Sequence, residues 1–554
     1  MPKYEELEKN IKSIIDDIQG LCNTNGLSNT AAEEIIVTSV FLYKFLNDKF
    51  IANLKKFAKD MDISIEDVKI NKNNCLDAFY DTYSQDVAFT YEDTIEYLVG
   101  FLGNDNFYTK FEDALVRISN YPRNEAFSIE TSDGEYKPLF TKIISDHLPE
   151  SKRNAFAKNI FSYITTDRFD FGETAEGSYD FFSTIFEYLI QNYNVASGTY
   201  AEYFTPQALS SAIAKILVHM APIEDKIYEV YDPSAGSGSL VLHLANELGN
   251  GKFGNKARVY TQDISQKSSR FLRINMLLNG LKESLKNIIE GDTLMSPAHF
   301  KVEGNDSSGL KQFDFITSNP PFKTDFSSTR DNIETNWKST LRFFAGVSKI
   351  PNAKKESMAI YLCFIQHILY SLRDGGKAAI VVPTGFLTAQ AGIEKKIREH
   401  IVDNHWLRGV VSMPSNIFAN TGTNVSVLFI DKTNKDGEVL LVDASRLGEK
   451  IKVGKNQKTV LNPTELDKIV NTFIEHIVED DFSISVSYDK IKGKNYSFSA
   501  GQYFDVKIEY IELTQDEFND KMQEYANNLE KLFSESKSLE REIKNNLKGL
   551  KYES

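Results

Sequence analysis

The chain has 554 residues and a formal charge of −15, from 63 basic and 78 acidic side chains. Its 41% hydrophobic and 12% aromatic content is that of an ordinary globular protein with several domains, which excludes disordered and collagen-like classes. Three isolated cysteines (Cys22, Cys75, Cys363) exclude a disulfide framework and a cysteine-rich zinc site, and no run approaches the roughly 18 apolar residues of a membrane span. With no apolar stretch in MPKYEELEKN, no signal peptide is expected, and a reducing, cytoplasmic location is. The acidic balance argues against holding nucleic acid through the overall field of the chain. It leaves room for a local basic groove, or for a partner that supplies one.

The elements follow in chain order. Apolar residues recur at helical spacing through ELEKNIKSIIDDIQGLC and IIVTSVFLYKFLNDKFIANLKKF, so residues 1–165 read as a mainly helical domain. DFFSTIFEYLIQNY at 180–193 predicts a further helix, and Thr205-Pro206 opens the next, proline suiting a first turn. From about 228 strands and helices alternate: KIYEVYD, ARVYTQD, NIIEGD, QFDFITSNP and AAIVVP are strands, with helices between. The pair WLRGVVSMP and NVSVLFIDK reads as a hairpin. This is the pattern of a mainly parallel sheet covered by helices, an α/β domain over 166–440. A mixed extension follows over 441–511. In the last segment, 512–554, Phe518, Met522, Tyr525, Leu529, Leu532, Leu539, Ile543 and Leu550 fall on one heptad track, broken by Ser536 and Asn546. That predicts an amphipathic or coiled-coil helix for subunit assembly.

DPSAGSGS at 232–239 lies where a strand meets a helix. Gly236 and Gly238 let the backbone approach a ligand, and the helix N-terminus beyond offers free amides. No Gly-Lys-Ser/Thr follows, and a third glycine is missing, so neither a nucleotide P-loop nor a dinucleotide turn fits. Asp232 would repel phosphate and suits a ligand carrying an ammonium or sulfonium group. Asp263 and Asp292 end the next two strands; Asp263 is placed to accept from ribose hydroxyls. Three carboxylates at successive strand ends fit one adenosine-plus-amino-acid pocket.

FDFITSNPPF at 313–322 runs from an apolar strand into Asn319-Pro320-Pro321-Phe322. The Asn319 side-chain oxygen and the Pro320 carbonyl are two acceptors that suit both hydrogens of an exocyclic amine, and Phe322 is an exposed ring for stacking on the base. Such an amine keeps its lone pair aimed outward at an electrophile.

With these motifs the chain resembles the modification (M) subunits of type I restriction–modification systems, within the N6-adenine DNA methyltransferases. TYAEYFTP at 199–206, DPSAGSGSL at 232–240, SNPPF at 318–322 and GTNVSVLFI at 422–430 carry the resemblance. It implies a class I S-adenosylmethionine-dependent methyltransferase (Rossmann-like) domain between a helical front and a helical tail. It implies S-adenosylmethionine as cofactor, held by Tyr203, Phe204, Thr205, Asp232, Ser234, Gly236, Gly238, Ser239, Asp263 and Asp292. Asp263 would hold the ribose, Asp292 the adenine ring, and Asn319, Pro320, Pro321 and Phe322 the flipped target adenine. Two departures are Asp263, where many relatives carry glutamate, and Phe322, where tyrosine is commoner. The implied partners are double-stranded DNA, a specificity (S) subunit with two M subunits per S, and a restriction (R) subunit; no membrane is involved.

The loop after Phe322 interleaves Lys323, Arg330, Lys338 and Arg342 with Trp337, Phe343 and Phe344, which reads either as a nucleic-acid contact or as an ordinary surface excursion. The eight histidines are scattered singly, and no catalytic metal is expected. Rival readings are an autonomous adenine methyltransferase acting on DNA or RNA, a protein-glutamine methyltransferase, and a non-enzymatic scaffold. Retention of all the motifs argues against the scaffold, and 440–554 leaves little room for a recognition domain.

Overall fold

Helical periodicity shapes the front of the chain. In the computed structural model, which describes residues 2–84, 86–130, 136–171, 184–185, 188–189, 205–249, 256–303, 306–417, 424–434, 437–453, 456–504 and 514–549, it forms α1 (Pro2–Thr24) and α2 (Ala31–Asp60). Ile11, Ile14, Ile15, Ile18 and Cys22 make the buried stripe of α1. The Thr30 hydroxyl caps α2 by accepting the Glu33 amide at 3.2 Å, and Glu33 and Glu34 complement the helix dipole. Beyond them α3 (Phe107–Asn120) packs on α4 (Glu150–Ile164), where Phe107 and Phe111 meet Phe161 edge-on at 4.7 and 5.0 Å between centroids. The helix expected at 180–193 lies mostly outside the described residues.

The middle of the chain is built on nine strands: β1 (Tyr228–Asp232), β2 (Ala257–Asp263), β3 (Ile288–Glu290), β4 (Phe313–Ser318), β5 (Leu372–Pro383), β6 (Leu407–Ser412), β7 (Val425–Asp431), β8 (Val439–Asp443) and β9 (Ser483–Val486). Their order across the sheet is β9-β8-β6-β7-β5-β4-β1-β2-β3. Strands β1 to β5 are mutually parallel, β7 is antiparallel to both β5 and β6, β8 is parallel to β6, and β9 is antiparallel to β8. Every residue of β4 and β7 is buried, which explains why both read as continuous apolar runs rather than alternations. The strand order reverses at β1, with β2 on one side and β4 on the other. In doubly wound sheets ligands bind in that crevice, beyond the carboxyl ends of the strands.

Helices α5 (Gln207–His219), α6 (Ser239–Leu248), α7 (Gln266–Leu278), α8 (Tyr361–Ser371), α9 (Gly392–Asp403) and α10 (Pro463–Ile474) accompany the strands. α10, α5 and α6 pack side by side, joining the core that includes Phe315, Ala379, Phe429 and Leu440. A second cluster, including Leu294, Phe326, Ile333 and Met358, lies under the loop after β4. Two details differ from the sequence reading. Pro206 stands at the N-cap of α5 with φ −55° and ψ 137°, one residue before the helix rather than within its first turn. The weakly patterned region after 440 supplies β8 and β9, which extend the sheet beyond the hairpin pair. No helix among the described residues is long and apolar enough to cross a membrane.

The chain divides into two compact units, Met1–Tyr503 and Phe504–Ser554. The second holds α11 (Gln515–Gly549), whose track residues Phe518, Met522, Tyr525, Leu529, Leu532, Leu539 and Ile543 are each at least half exposed.

Gly409 shows how closely β6 and β8 are packed. A Cβ there would stand 2.6 Å from the Leu440 carbonyl oxygen and from the Phe473 ring. Gly409→Ala is therefore expected to lower stability by about 1–3 kcal/mol, as overpacked cores do. Urea denaturation checks this, and an unchanged midpoint would contradict the packing.

Candidate active site

The carboxyl ends of β1, β2 and β4 converge on the glycine turn. Asp232 closes β1 and is 1% exposed; its Oδ1 accepts the Ser234 amide at 3.0 Å. Gly236 (φ +52°) and Gly238 (φ +84°) turn the chain into α6 through left-handed conformations. A Cβ on Gly238 would lie 2.2 Å from Leu272 Cδ1, so the turn is pressed against α7 and only glycine fits. Three side chains tether it. The Gly236 amide donates to Asp263 Oδ2 at 2.9 Å, the Ser234 and Ser318 hydroxyls share a 2.7 Å hydrogen bond, and Thr293 Oγ1 donates to the Pro233 carbonyl at 2.7 Å. The Ser239 hydroxyl meets that of Ser210 at 2.9 Å, joining α6 to α5.

The other two acidic residues serve the backbone first. Asp263 also accepts the Ser265 amide on Oδ1 at 2.8 Å, so each of its oxygens already holds one donor. Asp292 Oδ1 accepts the amides of Leu294 at 2.9 Å and Met295 at 3.1 Å, shaping the turn after β3. Burial raises the carboxyl pKa of Asp232 well above the ordinary range, against the lowering effect of the Ser234 amide, and the charge of Asp263 raises it further. Burial raises that of Asp263 too, partly opposed by the amides of Ser265 and Gly236. Two acidic groups close together thus resist ionising in this cleft, and a cationic ligand would relieve both.

β4 delivers Asn319 to the same place. The Asn319 amide nitrogen donates to Thr205 Oγ1 at 3.2 Å, which leaves its Oδ1 as an acceptor. Thr205, Asp232, Ser234, Ser239 and Asn319 line one cleft, so residues far apart in sequence share a wall. Pro320 is buried and Pro321 half-buried at its edge. Phe322 is half-buried rather than freely exposed, because its ring packs edge-on to Tyr361, with centroids 6.2 Å apart at 78°. Tyr203 and Phe204 lie outside the described residues. One candidate escaped the sequence reading. Ile264 is 72% exposed directly after Asp263, and an aliphatic residue following a strand-end carboxylate was the available signal.

The loop after Phe322 is braced by two of its four cations, Arg330 and Arg342, while Lys323 and Lys338 are exposed. Arg342 is completely buried and donates to the carbonyls of Thr293 (2.8 Å) and Leu294 (3.0 Å) and to Nδ1 of His367 (3.1 Å). Its guanidinium lies 4.3 Å from the Trp337 ring centroid and 4.8 Å from that of Phe343. Burial pulls its pKa down to about 10, and no carboxylate pairs with it among the described residues. His367 is held neutral, its pKa driven far below the usual value by burial and then by Arg342. Since Nδ1 accepts from Arg342, Nε2 carries the proton and donates to the Tyr231 hydroxyl at 3.2 Å. Arg330 is likewise spent on the Val347 and Ser348 carbonyls, Asp331 and Glu334. Phe344 packs on His400 at 4.1 Å. Arg342 therefore holds the loop to the turn carrying Asp292, and Arg330 ties the loop to itself, so both guanidinium groups are already engaged.

The chain is similar to known proteins over most of its length. A family model described as N-6 DNA Methylase matches residues 177–510. The type I restriction enzyme MpnII methylase subunit of Mycoplasma pneumoniae is 31% identical over 427 residues, covering 75% of each chain. The MjaIX methylase subunit of Methanocaldococcus jannaschii is 26% identical over 442 residues, 75% of this chain and 73% of its own. Among solved structures, the type I restriction-modification system methyltransferase subunit from Streptococcus thermophilus shares the fold, with a TM-score of 0.67 and 20% identity over 90% of this chain and 100% of that one.

The brace makes a measurable demand on stability. Arg342→Lys cannot reproduce the forked contacts to two carbonyls and a histidine, and is expected to cost about 1–3 kcal/mol. Chemical denaturation reads the loss; full stability in the variant would contradict it.

Proposed function

The chain belongs to the N-6 DNA methylase family, and we propose that its glycine turn and Asn-Pro-Pro-Phe segment form one site that methylates a flipped-out adenine with S-adenosylmethionine as donor. It is an adenine-specific DNA methyltransferase of the type I restriction–modification kind. The observation that carries the assignment of the site is the contact between Asn319 and Thr205 on the wall shared with Asp232. It ties Asn319 to the segment before α5, while the Ser234–Ser318 hydrogen bond ties the glycine turn to the end of β4.

The residues present fit the cofactor. The buried, reluctant carboxyl of Asp232 suits a ligand with ammonium and sulfonium charges, and the close approach of Gly238 to Leu272 keeps the turn free of side chains. Asp263, with one lone pair left on each oxygen, would hold ribose hydroxyls. Asp292 and the exposed Ile264 would flank the adenine ring, and Tyr203, Phe204 and Thr205 the methionine end. The bound cofactor supplies an electrophilic methyl group. The chain's own contribution is to position the target amine. Asn319 Oδ1 and the Pro320 carbonyl accept its two hydrogens, and the half-buried Phe322, steadied by Tyr361, offers its ring to the base. Unstacking the adenine costs a few kcal/mol, which these contacts offset. The acceptors also stabilise the positive charge that develops on nitrogen.

We further propose that a separate specificity subunit reads the sequence, with two copies of this chain per specificity subunit and a restriction subunit able to join. What supports this is the −15 net charge and the exposed apolar track of α11. On this reading 1–165, 166–440 and 441–511 are the helical front, the catalytic domain and its extension, and 512–554 is the assembly helix.

Two outcomes are expected. Asn319→Ala retains cofactor binding while methyl transfer falls by more than ~100-fold, as for loss of an oriented polar group. Tritiated methyl incorporation measures this, and near-normal transfer would reject the role. The second concerns pH. The raised folded-state pKa values of Asp232 and Asp263 mean that, without ligand, both groups favour the fold at acid pH and lose that contribution as pH rises through the raised values. A cationic ligand prefers the ionised forms. S-adenosylmethionine affinity is therefore expected to fall as pH is lowered, beginning above the ordinary aspartate value of 3.8, with protons released on binding. Calorimetry in buffers of different ionisation enthalpy detects the protons, and a pH-independent affinity with no proton release would overturn the coupling.

A further inference from the structure

The chain's excess of acid is not evenly spread. Residues 444–460 hold five cations (Arg446, Lys450, Lys452, Lys455 and Lys458) and a single carboxylate, Glu449. Within this stretch Glu449–Val453 pairs antiparallel with Asn456–Val460 as a hairpin, and Lys455 lies outside the described residues. Arg446, Lys450 and Lys452 are exposed and Lys458 half-exposed. None of these four pairs with a carboxylate among the described residues, whereas Lys377 is satisfied by Asp431 and Arg373 by Glu229 and Asp314.

The sheet decides which way this hairpin faces. It follows β8, which is parallel to β6; β6 and β5 are both antiparallel to β7, so β8 runs in the direction of β1 and β4. The hairpin therefore leaves the sheet at the carboxyl edge, the edge that carries Asp232 and Asn319. A groove on that side is lined by both Pro206 and Lys458, making the hairpin continuous with the segment that brings Thr205 to Asn319. It is also firmly seated. Thr459 is buried, donating its amide (3.0 Å) to the Asn416 carbonyl and its hydroxyl (2.6 Å) to that of Ser415. The Gly448 amide donates to Glu465 Oε1 at 2.8 Å, and Glu465 itself closes the capping box of α10.

We propose that the 446–460 hairpin is a phosphate-contacting wing that grips the backbone of the substrate duplex beside the flipped adenine. The inference rests on the DNA-methylating reading above and adds a DNA contact of this chain's own, outside the catalytic pocket. Charge complementarity selects the occupant. Cations without partners on a rigid ribbon, with no aromatic side chain among 444–460, match a phosphate backbone rather than stacked bases.

The test uses the complex assembled with its specificity subunit. Binding of a fluorescein-labelled duplex of arbitrary sequence is measured across a salt series, because the backbone contribution is independent of sequence. For the Lys450→Gln/Lys452→Gln/Lys458→Gln variant, the slope of log affinity against log salt should shrink by about two to three units, at about 0.9 per lost contact, and affinity at low salt should drop at least about tenfold. A Lys→Arg triple variant should restore the slope. Thermal denaturation and S-adenosylmethionine affinity report whether the fold is intact. An unchanged slope in a folded, assembled variant overturns the proposal. So does loss of assembly with an unchanged slope per complex, which would make the hairpin a protein interface. A parental complex that methylates no adenine would instead sink the functional reading itself, a result the salt series cannot mimic.

Discussion

The bond from the Gly236 amide to the half-buried carboxylate of Asp263 holds the carboxyl edge together. It fixes the glycine turn after β1 to the end of β2, and through Ser265 the same carboxylate also shapes the start of α7. From that anchor the remaining tethers reach outward: Ser234 to Ser318 at the end of β4, Thr293 to Pro233, and Ser239 to Ser210. A single acidic residue so placed both builds the turn and remains available to a ligand, because an ionised carboxylate has about four acceptor sites and the fold uses two. Burying it beside Asp232 is unfavourable in isolation, which is why both groups resist ionisation. The arrangement is preorganised for positive charge.

Much of this was legible in the sequence. The alternation of apolar strands and helical patterns located β1 to β7, and the motifs DPSAGSGS and SNPPF marked the two sides of the crevice before any geometry was known. The fold adds the contact between them, since only the pairing of β1 with β4 brings Asn319 to the wall shared with Asp232. β8 and β9 were not placed individually within the mixed extension, for a physical reason. Strands of four or five residues, separated by a hairpin and a helix, give too short a window for periodicity to register.

The cations misled most. Arg342 reads as a surface residue in a polar loop, yet it is buried without a carboxylate partner and satisfied by carbonyls, a histidine and aromatic faces. Arg398 repeats the solution, donating to the carbonyls of Phe386, Ala389 and Tyr496. A planar guanidinium can cross-link backbone segments in this way because its donors diverge in fixed directions. Composition cannot distinguish such a brace from a contact for phosphate; only burial and partner geometry can. Applied in reverse, the same criterion marks Arg446, Lys450, Lys452 and Lys458 as cations that make no ion pair among the described residues.

The seam between β1 and β4 also bears on how the molecule is made. The hydroxyl pair that closes it, Ser234 with Ser318, joins residues 84 positions apart, whereas β6 and β7 are neighbours along the chain and pair by a local return. Loop-closure entropy favours the short-range pairing first and delays the long-range one. Until Ser318 has emerged from synthesis, the glycine turn has β2 on one flank and nothing on the other. In refolding of the complete chain the crevice therefore closes after the β6–β7 pairing, whereas during synthesis Ser318 precedes both of those strands, so the two routes reach the seam in opposite order.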